Sequence, residues 1–202
     1  MYLRFKRCLD IILSLSAIVA FCWLLLIIAI LIKLEDGGNV IFKQKRIGRC
    51  NKEFYIFKFR TMKIDTPKDI PTHLLEEPDK YITSIGKFLR KSSLDELPQL
   101  FNILYGQMSI IGPRPALWNQ YDLIDARNKN GSSSLAPGLT GWAQVNGRDE
   151  LPIDVKARYD GEYLNRVSLA FDIKILFMTI VSVFKADGIS EGSNEDINNR
   201  RK

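Results

Sequence analysis

The sequence predicts an α+β membrane protein with an N-terminal membrane-embedded helix, a small domain of helices and a β-hairpin, and interfacial amphipathic helices. Three observations predict this fold class. The segment Ile11–Ile32 is a run of 22 residues without a charge. The segments Val40–Ile47 and Phe54–Met62 are rich in aromatic and β-branched residues, and the polar link Gly48–Glu53 joins them, which is typical of a hairpin. The segment Leu169–Phe184 has an apolar surface broader than a single-face stripe, as in a core helix or a helix in the lipid interface.

The uncharged run predicts a membrane anchor over residues 1–36. As a helix it would be roughly 33 Å long at about 1.5 Å per residue, close to the ~30 Å hydrocarbon thickness of a bilayer. It lacks a small-residue cleavage site and is followed by basic residues, so a permanent anchor is favoured over a removable signal peptide. A re-entrant helix is favoured because it keeps both basic flanks on the cytoplasmic side, whereas the absence of proline favours a straight span. The flanking cations are Arg4, Lys6 and Arg7 before the run, and Lys33, Lys43, Lys45, Arg46 and Arg49 after it.

The rest of the chain is predicted to form a cytoplasmic domain over residues 37–188 and a flexible polar tail over residues 189–202. Residues 63–80 are rich in proline and acidic residues, which predicts a loop that could act as a lid. Glycine and serine predict a further loop at residues 131–138. Apolar spacing predicts helices at Tyr81–Arg90, Leu94–Leu104, Ala116–Lys129 and Asp154–Leu164.

The composition limits the partners that the chain can have. Its formal net charge of +6 suits a nucleic acid, an anionic membrane surface or an anionic substrate. The last two are favoured beside a membrane anchor, and no helix or arm concentrates the basic residues as a nucleic-acid binder would. Cys8, Cys22 and Cys50 are odd in number and lack metal-ligand spacing, which favours a reduced cytoplasmic face over a disulfide framework.

The adjacent carboxylates Asp95 and Glu96 are the leading candidates for chemistry, because the single histidine, His73, lies in a predicted polar loop. A carboxylate can act as nucleophile, general base or magnesium ligand, and phosphoryl transfer commonly needs more than one of these roles. The alternative is structural, since Ser93 and Glu96 match a capping box at a helix start. The two interpretations are compatible, because a helix N-terminus also attracts phosphate. A bend is expected at Pro98.

Several cations lie where they could neutralise phosphate oxygens. Lys58 and Arg60 are two positions apart on a predicted strand and therefore share a face, although a solvated or headgroup-facing edge would look the same. Arg90 precedes Asp95 by five positions and converges on it if a helix boundary lies between them. Arg114 lies between two prolines, whose restrained backbone suits the positioning of a guanidinium and is also common in ordinary turns.

The segment Gly138–Arg148 contains three glycines, an Asn-Gly turn and Trp142. Its glycines permit close backbone approach to a ligand, and Trp142 offers either a stacking face or a core side chain. Walker, Rossmann and Gly-x-Ser-x-Gly patterns are absent from the sequence.

These motifs together resemble the bacterial sugar transferase family, the small monotopic phosphoglycosyl transferases that begin lipid-linked glycan assembly. The resemblance extends from Lys6 to about Gly188, and several motifs in the right order are far more specific than any one of them. The motifs are Lys6–Ile11, Lys58–Met62, Ser93–Leu100, Gly106–Ser109, Gly112–Pro115 and Pro137–Arg148.

The resemblance implies that a phospho-sugar is transferred from a UDP-sugar to undecaprenyl phosphate, with release of UMP and use of Mg²⁺, at the cytoplasmic face of the bacterial inner membrane. Asp95 then matches the family nucleophile, which forms a covalent phospho-sugar intermediate, and Glu96 matches its magnesium-linked partner. Arg114 falls where the family's Pro-Arg-Pro turn meets the nucleotide. The positions that match phosphate-binding cations are Lys58, Arg60, Arg90 and Arg148.

One departure from the family concerns the membrane helix, where Cys22-Trp23 replaces the usual Ser-Pro pair. A kink driven by proline is therefore lost or replaced. The sequence leaves the sugar, the pathway and self-association into a homo-oligomer open. It also leaves open a protein of another class, a non-catalytic membrane adaptor whose basic surface binds anionic lipids. Release of UMP from a UDP-sugar separates the two.

Overall fold

The computed structural model describes residues 2–64, 66, 78–147 and 151–185 and has the mixed helix and strand content that the sequence predicts. The predicted tail, Arg148, His73 and most of the predicted lid lie outside the described residues. The helices are α1 (Tyr2–Asp36), α2 (Pro78–Tyr81), α3 (Ser84–Ser92), α4 (Gln99–Leu104), α5 (Tyr121–Asn130), α6 (Trp142–Val145), α7 (Ile153–Arg166) and α8 (Leu169–Lys185). The strands are β1 (Ile41–Ile47), β2 (Glu53–Phe59), β3 (Ser109–Ile111), β4 (Ala116–Leu117) and β5 (Gly138–Thr140).

The long helix α1 is apolar enough to cross a membrane and lies with one face on the rest of the domain. Its buried positions recur at helical spacing near both ends, at Lys6, Asp10, Ser14, Ile28 and Ile32. Between them, partly buried residues of α1 pack against a hydrophobic cluster to which β2 and α4 contribute. The helix continues without a break through Cys22-Trp23. Its opposite face exposes a second apolar stripe, formed by Phe5, Ile12, Leu15, Val19, Trp23, Leu26, Ile30 and Leu34.

The N-terminal end of α1 is joined to the last helix by a buried polar network. The ammonium of Lys6 lies 2.7 Å from Oδ2 of Asp172 on α8. The hydroxyl of Tyr2 donates to the same oxygen at 2.6 Å, and that of Tyr163 donates to Oδ1 at 2.7 Å. Arg7 donates to the last two backbone carbonyls of α4. Burial of this ion pair requires such partners, so the network fixes where α1 begins on the domain.

The predicted hairpin is confirmed. Strands β1 and β2 pair antiparallel from Ile41–Phe59 to Ile47–Glu53, and Cys50 and Asn51 take positive φ angles in the connection between them. Strand β4 adds to the free edge of β1, giving the order β2-β1-β4, and β3 pairs in parallel with β5. One hydrophobic cluster joins the hairpin to α4, and its buried members are Phe54, Ile56, Leu100, Ile103 and Met108.

The helix predicted at Tyr81–Arg90 corresponds to α3, which begins at Ser84, and two other predicted helices differ more from the structure. The segment predicted as Leu94–Leu104 divides into a 3₁₀ turn at Leu94–Glu96 and α4, because proline 98 lacks the N–H that a continuous helix needs. The bend expected there is therefore confirmed. The helix predicted to start at Ala116 starts at Tyr121, because Ala116 and the residue after it pair with β1.

Candidate active site

The side chain of Lys58 contacts both of the adjacent carboxylates, Asp95 and Glu96. Its ammonium donates to Oε1 of Glu96 at 2.6 Å and lies 3.8 Å from Oδ2 of Asp95. All three side chains are largely buried, with 19%, 12% and 20% exposure for Lys58, Asp95 and Glu96. The end of strand β2 supplies the lysine and the 3₁₀ turn supplies the acids, so the sequence prediction that these residues act together has a geometric basis.

The capping-box interpretation of Ser93 and Glu96 is wrong. Ser93 has φ 56°, in the left-handed region, and its side chain makes no capping hydrogen bond. Its backbone N–H instead donates to the carbonyl of Arg90 at 3.1 Å, so Ser93 ends α3. The left-handed conformation costs free energy in any residue other than glycine. At Ser93 it turns the chain sharply, so that Asp95 faces into the protein.

Burial raises the pKa of Asp95 to about 6. The charge of Lys58 opposes this increase, the charge of Glu96 adds to it, and the charge of Arg90 opposes it. A carboxylate in this state is ionised at neutral pH and yet more basic than an exposed aspartate. Such perturbed carboxylates in a cleft are candidates for nucleophiles or general bases.

The Pro-Arg-Pro turn aims Arg114 at the same carboxylates. A guanidinium nitrogen of Arg114 lies 3.6 Å from Oε1 of Glu96. The turn is held on both sides, since the carbonyl of Pro113 accepts a 2.8 Å bond from the first N–H of β5. The carbonyl of Pro115 accepts a 3.1 Å bond from Arg46. Its backbone is thus restrained by tertiary hydrogen bonds as well as by its prolines.

Arg90 approaches the carboxylates through a partner that the sequence interpretation missed. Its Nε donates to the hydroxyl of Thr61 at 2.9 Å, and its charge acts on Asp95. A helix boundary does lie between Arg90 and Asp95, as their convergence required. The only sequence signal for this role of Thr61 was its place in the Lys58–Met62 motif. Its pairing with Arg90 joins residues 29 positions apart, which no local pattern predicts.

The remaining predicted cations are placed differently. Arg60 forms a buried ion pair with Asp36, the last residue of α1, and its guanidinium also lies close against Gly38. Arg148 lies outside the described residues, so its expected role stays a prediction.

Trp142 is partly buried and packs against a hydrophobic core cluster. Its ring lies 5.0 Å from that of Phe171 and 6.1 Å from that of Tyr159, between centroids. Its indole N–H donates to Glu162 at 3.0 Å. Gly141 approaches the backbone of Gly112 too closely to admit a Cβ. The glycine segment therefore serves close packing of protein against protein at these positions.

Comparisons with known proteins show which family the chain resembles. The sequence model of the bacterial sugar transferase family matches residues 1–186. The UDP-glucose:undecaprenyl-phosphate glucose-1-phosphate transferase of Xanthomonas campestris pv. campestris is 42% identical over 185 residues, which cover 88% of this chain and 38% of the relative. The Escherichia coli (strain K12) protein of the same name is 40% identical over 191 residues, covering 89% and 40%.

A shorter relative matches over most of its length. The exopolysaccharide production protein ExoY of Rhizobium meliloti (strain 1021) is 36% identical over 197 residues, covering 91% of this chain and 87% of the relative. By contrast, the chain spans 38% and 40% of the lengths of the two glucose-1-phosphate transferases.

Proposed function

The chain belongs to the bacterial sugar transferase family, and from that premise we propose that it transfers a phospho-sugar from a UDP-sugar to undecaprenyl phosphate, releasing UMP. This would be the first membrane step of a glycoconjugate assembly. The observation that carries the proposal is the contact of Lys58 with both Asp95 and Glu96, which Arg114 also approaches. Carboxylates for chemistry and cations for phosphate oxygens are what phosphoryl transfer requires. Two relatives are named for transfer of this kind.

Asp95 serves as the nucleophile in the proposed mechanism. One of its carboxylate oxygens attacks the phosphorus that carries the sugar, the bond from that phosphorus to the UMP oxygen breaks, and UMP leaves with the bonding electrons. An oxygen of undecaprenyl phosphate then attacks the same phosphorus and releases the carboxylate. Burial of Asp95 supports this role, because a poorly solvated carboxylate is a stronger nucleophile. Lys58 and Arg114, which lie beside the two carboxylates, would neutralise the phosphate oxygens.

Magnesium fits this site as an ion shared with the substrate. In the part of the chain that the structure describes, no group of three or more metal-ligating side chains occurs. Magnesium is commonly held by one or two carboxylates together with substrate phosphates and water. Glu96, with Asp95 beside it, would hold the ion against the diphosphate. When bound, the ion supplies positive charge that stabilises the leaving UMP.

The membrane arrangement that we propose is monotopic: both ends of α1 lie with the catalytic domain on the cytoplasmic face, and α1 is unbroken at Cys22-Trp23. Both ends of α1 contact the same domain, through Lys6 on Asp172 and through Asp36 on Arg60. A straight span would carry the N-terminal end to the opposite side of the bilayer, where these contacts could not form. The exposed apolar stripe of α1 then faces lipid, as does a second one on α8. The exposed residues of α8 are Leu169, Ile173, Leu176, Phe177 and Ile180.

Activity of the full chain tests the proposal directly. The protein in nanodiscs that contain undecaprenyl phosphate is incubated with Mg²⁺ and, separately, with each UDP-sugar of a panel, and UMP is measured. We expect release with at least one sugar, dependent on the lipid phosphate for multiple turnovers. The matched control is Asp95→Asn. A folded protein that releases UMP from none of the sugars would favour the lipid-binding adaptor instead.

A further inference from the structure

The last turn of α1 carries two acids whose local position is unfavourable. Glu35 and Asp36 lie at the C-terminal end of the helix, where the helix dipole favours cations. Contacts with the rest of the domain compensate for this unfavourable position of Glu35 and Asp36. The guanidinium of Arg60 donates through both terminal nitrogens to the carboxylate of Asp36, and the two side chains are 12% and 21% exposed. Such a two-pronged pair fixes orientation as well as distance.

Glu35 holds the start of helix α3. Its Oε1 accepts hydrogen bonds from the backbone N–H groups of Ser84 at 2.8 Å and Ile85 at 3.3 Å. These are among the donors at a helix N-terminus that have no partner within the helix. The Thr83 hydroxyl accepts a third bond, from Gly86. The end of the membrane helix therefore sets where α3 begins.

From Arg60 the contacts continue to the catalytic carboxylate. Thr61 follows Arg60 directly, and its carbonyl accepts a 3.0 Å bond from the N–H of Thr83. Its hydroxyl accepts the 2.9 Å bond from Arg90, whose charge acts on Asp95. Gly86 packs so closely on the carbonyl of Thr61 that a Cβ would overlap it. Helix α3 thus has little freedom to move relative to the end of β2.

We infer that the last turn of α1 is a positioning element, in which the Asp36–Arg60 pair orients Arg90 and the turn that presents Asp95 through Thr61 and α3. Arg60 in this arrangement is a positioning residue and does not itself bind phosphate. The inference rests on the proposed function, since it concerns the same carboxylate. It implies that the rate of the chemical step depends on the contact between the end of α1 and Arg60.

A charge exchange tests the inference in the full chain in nanodiscs. The single variants are Asp36→Asn and Arg60→Gln, and the exchanged protein carries Asp36→Arg with Arg60→Asp. We expect each single variant to lower the kcat of UMP release by about tenfold or more, because small displacements of a nucleophile are costly. The KM for UDP-sugar should change by less than about twofold. The exchanged pair should recover most of the lost kcat.

The matched control is the exposed pair of Lys45 and Glu53, whose charged atoms lie 2.7 Å apart at the other end of the hairpin. Exchange of these charges should leave kcat and KM unchanged. Rates are divided by the folded fraction, from size-exclusion and thermal unfolding. A loss of kcat that disappears after this correction would mean a structural role only and overturn the inference. The inference would also be overturned if Arg60→Gln raised the KM for UDP-sugar while Asp36→Asn left kcat and KM unchanged. That result would make Arg60 a phosphate ligand. A wild-type chain without UMP release would instead refute the proposed function.

Discussion

The ammonium of Lys58 lies closer to Glu96 than to Asp95, at 2.6 Å from the first and 3.8 Å from the second. The lysine therefore neutralises Glu96 more fully and leaves Asp95 with the weaker partner. This agrees with the raised pKa of Asp95, for which burial outweighs the attraction of Lys58. The two adjacent acids thus have different environments, which is how paired carboxylates take different roles.

The first prediction concerns the covalent intermediate. Asp95→Asn should abolish both the phospho-sugar adduct and turnover, because an amide oxygen is a poor nucleophile for phosphorus. Intact-mass analysis after incubation with the active UDP-sugar, without lipid acceptor, measures the adduct. Asp125→Asn, which changes an exposed carboxylate on α5, is the control and should retain it. An adduct that persists in Asp95→Asn would place the nucleophile elsewhere.

The second prediction concerns stability, which the same substitution should increase. Because the pKa of Asp95 is raised from 3.8 to about 6, the folded protein binds its proton more tightly than the unfolded chain does. This acid therefore destabilises the folded state fully above about pH 6 and not at all below about pH 3.8. At about 1.4 kcal/mol per pH unit, the ionised carboxylate costs on the order of 2–3 kcal/mol.

Asparagine removes that cost, so the melting temperature of Asp95→Asn should exceed that of the wild type at pH 7.5. The difference should shrink as the pH falls from 6 toward 4. Thermal unfolding in nanodiscs across this range measures it, with Asp125→Asn as the reference for an exposed carboxylate. A difference that does not change with pH would contradict the assignment to Asp95.

The third prediction concerns magnesium. If Glu96 holds the ion against the diphosphate, Glu96→Gln should raise the Mg²⁺ concentration for half-maximal activity by about tenfold or more. The melting temperature should fall as well, because the substitution removes the buried ion pair of Glu96 with Lys58, so activities are divided by the folded fraction. Activity measured across a Mg²⁺ titration gives the shift. An equal loss of activity at every Mg²⁺ concentration would exclude Glu96 as the ligand.

The local features of the fold were predictable, and the long-range pairings were not. The hairpin followed from strand-like segments around a polar link, and the bend at Pro98 followed from the missing N–H. The role of Ser93 could not be read locally, because the same residue ends α3 and begins the next turn. The partner of Arg60 lies 24 positions away on the membrane helix, and no local pattern specifies such a pairing.

The last prediction concerns topology, where the missing Ser-Pro pair and the domain contacts of α1 favour opposite arrangements. The helix is unbroken at Cys22-Trp23, yet Lys6 is buried against Asp172 and one face contacts the domain near both ends. We therefore expect the N-terminus on the cytoplasmic side.

The variant Arg4→Cys, at an exposed position, is made in a background without the native cysteines, and intact cells are treated with an impermeant maleimide. Labelling should appear only after lysis. Cys50 alone, exposed in the turn of the hairpin, is the internal reference and should behave identically. Labelling of Arg4→Cys in intact cells, with Cys50 still protected, would establish a straight span and require the Lys6–Asp172 pair to be absent in the membrane.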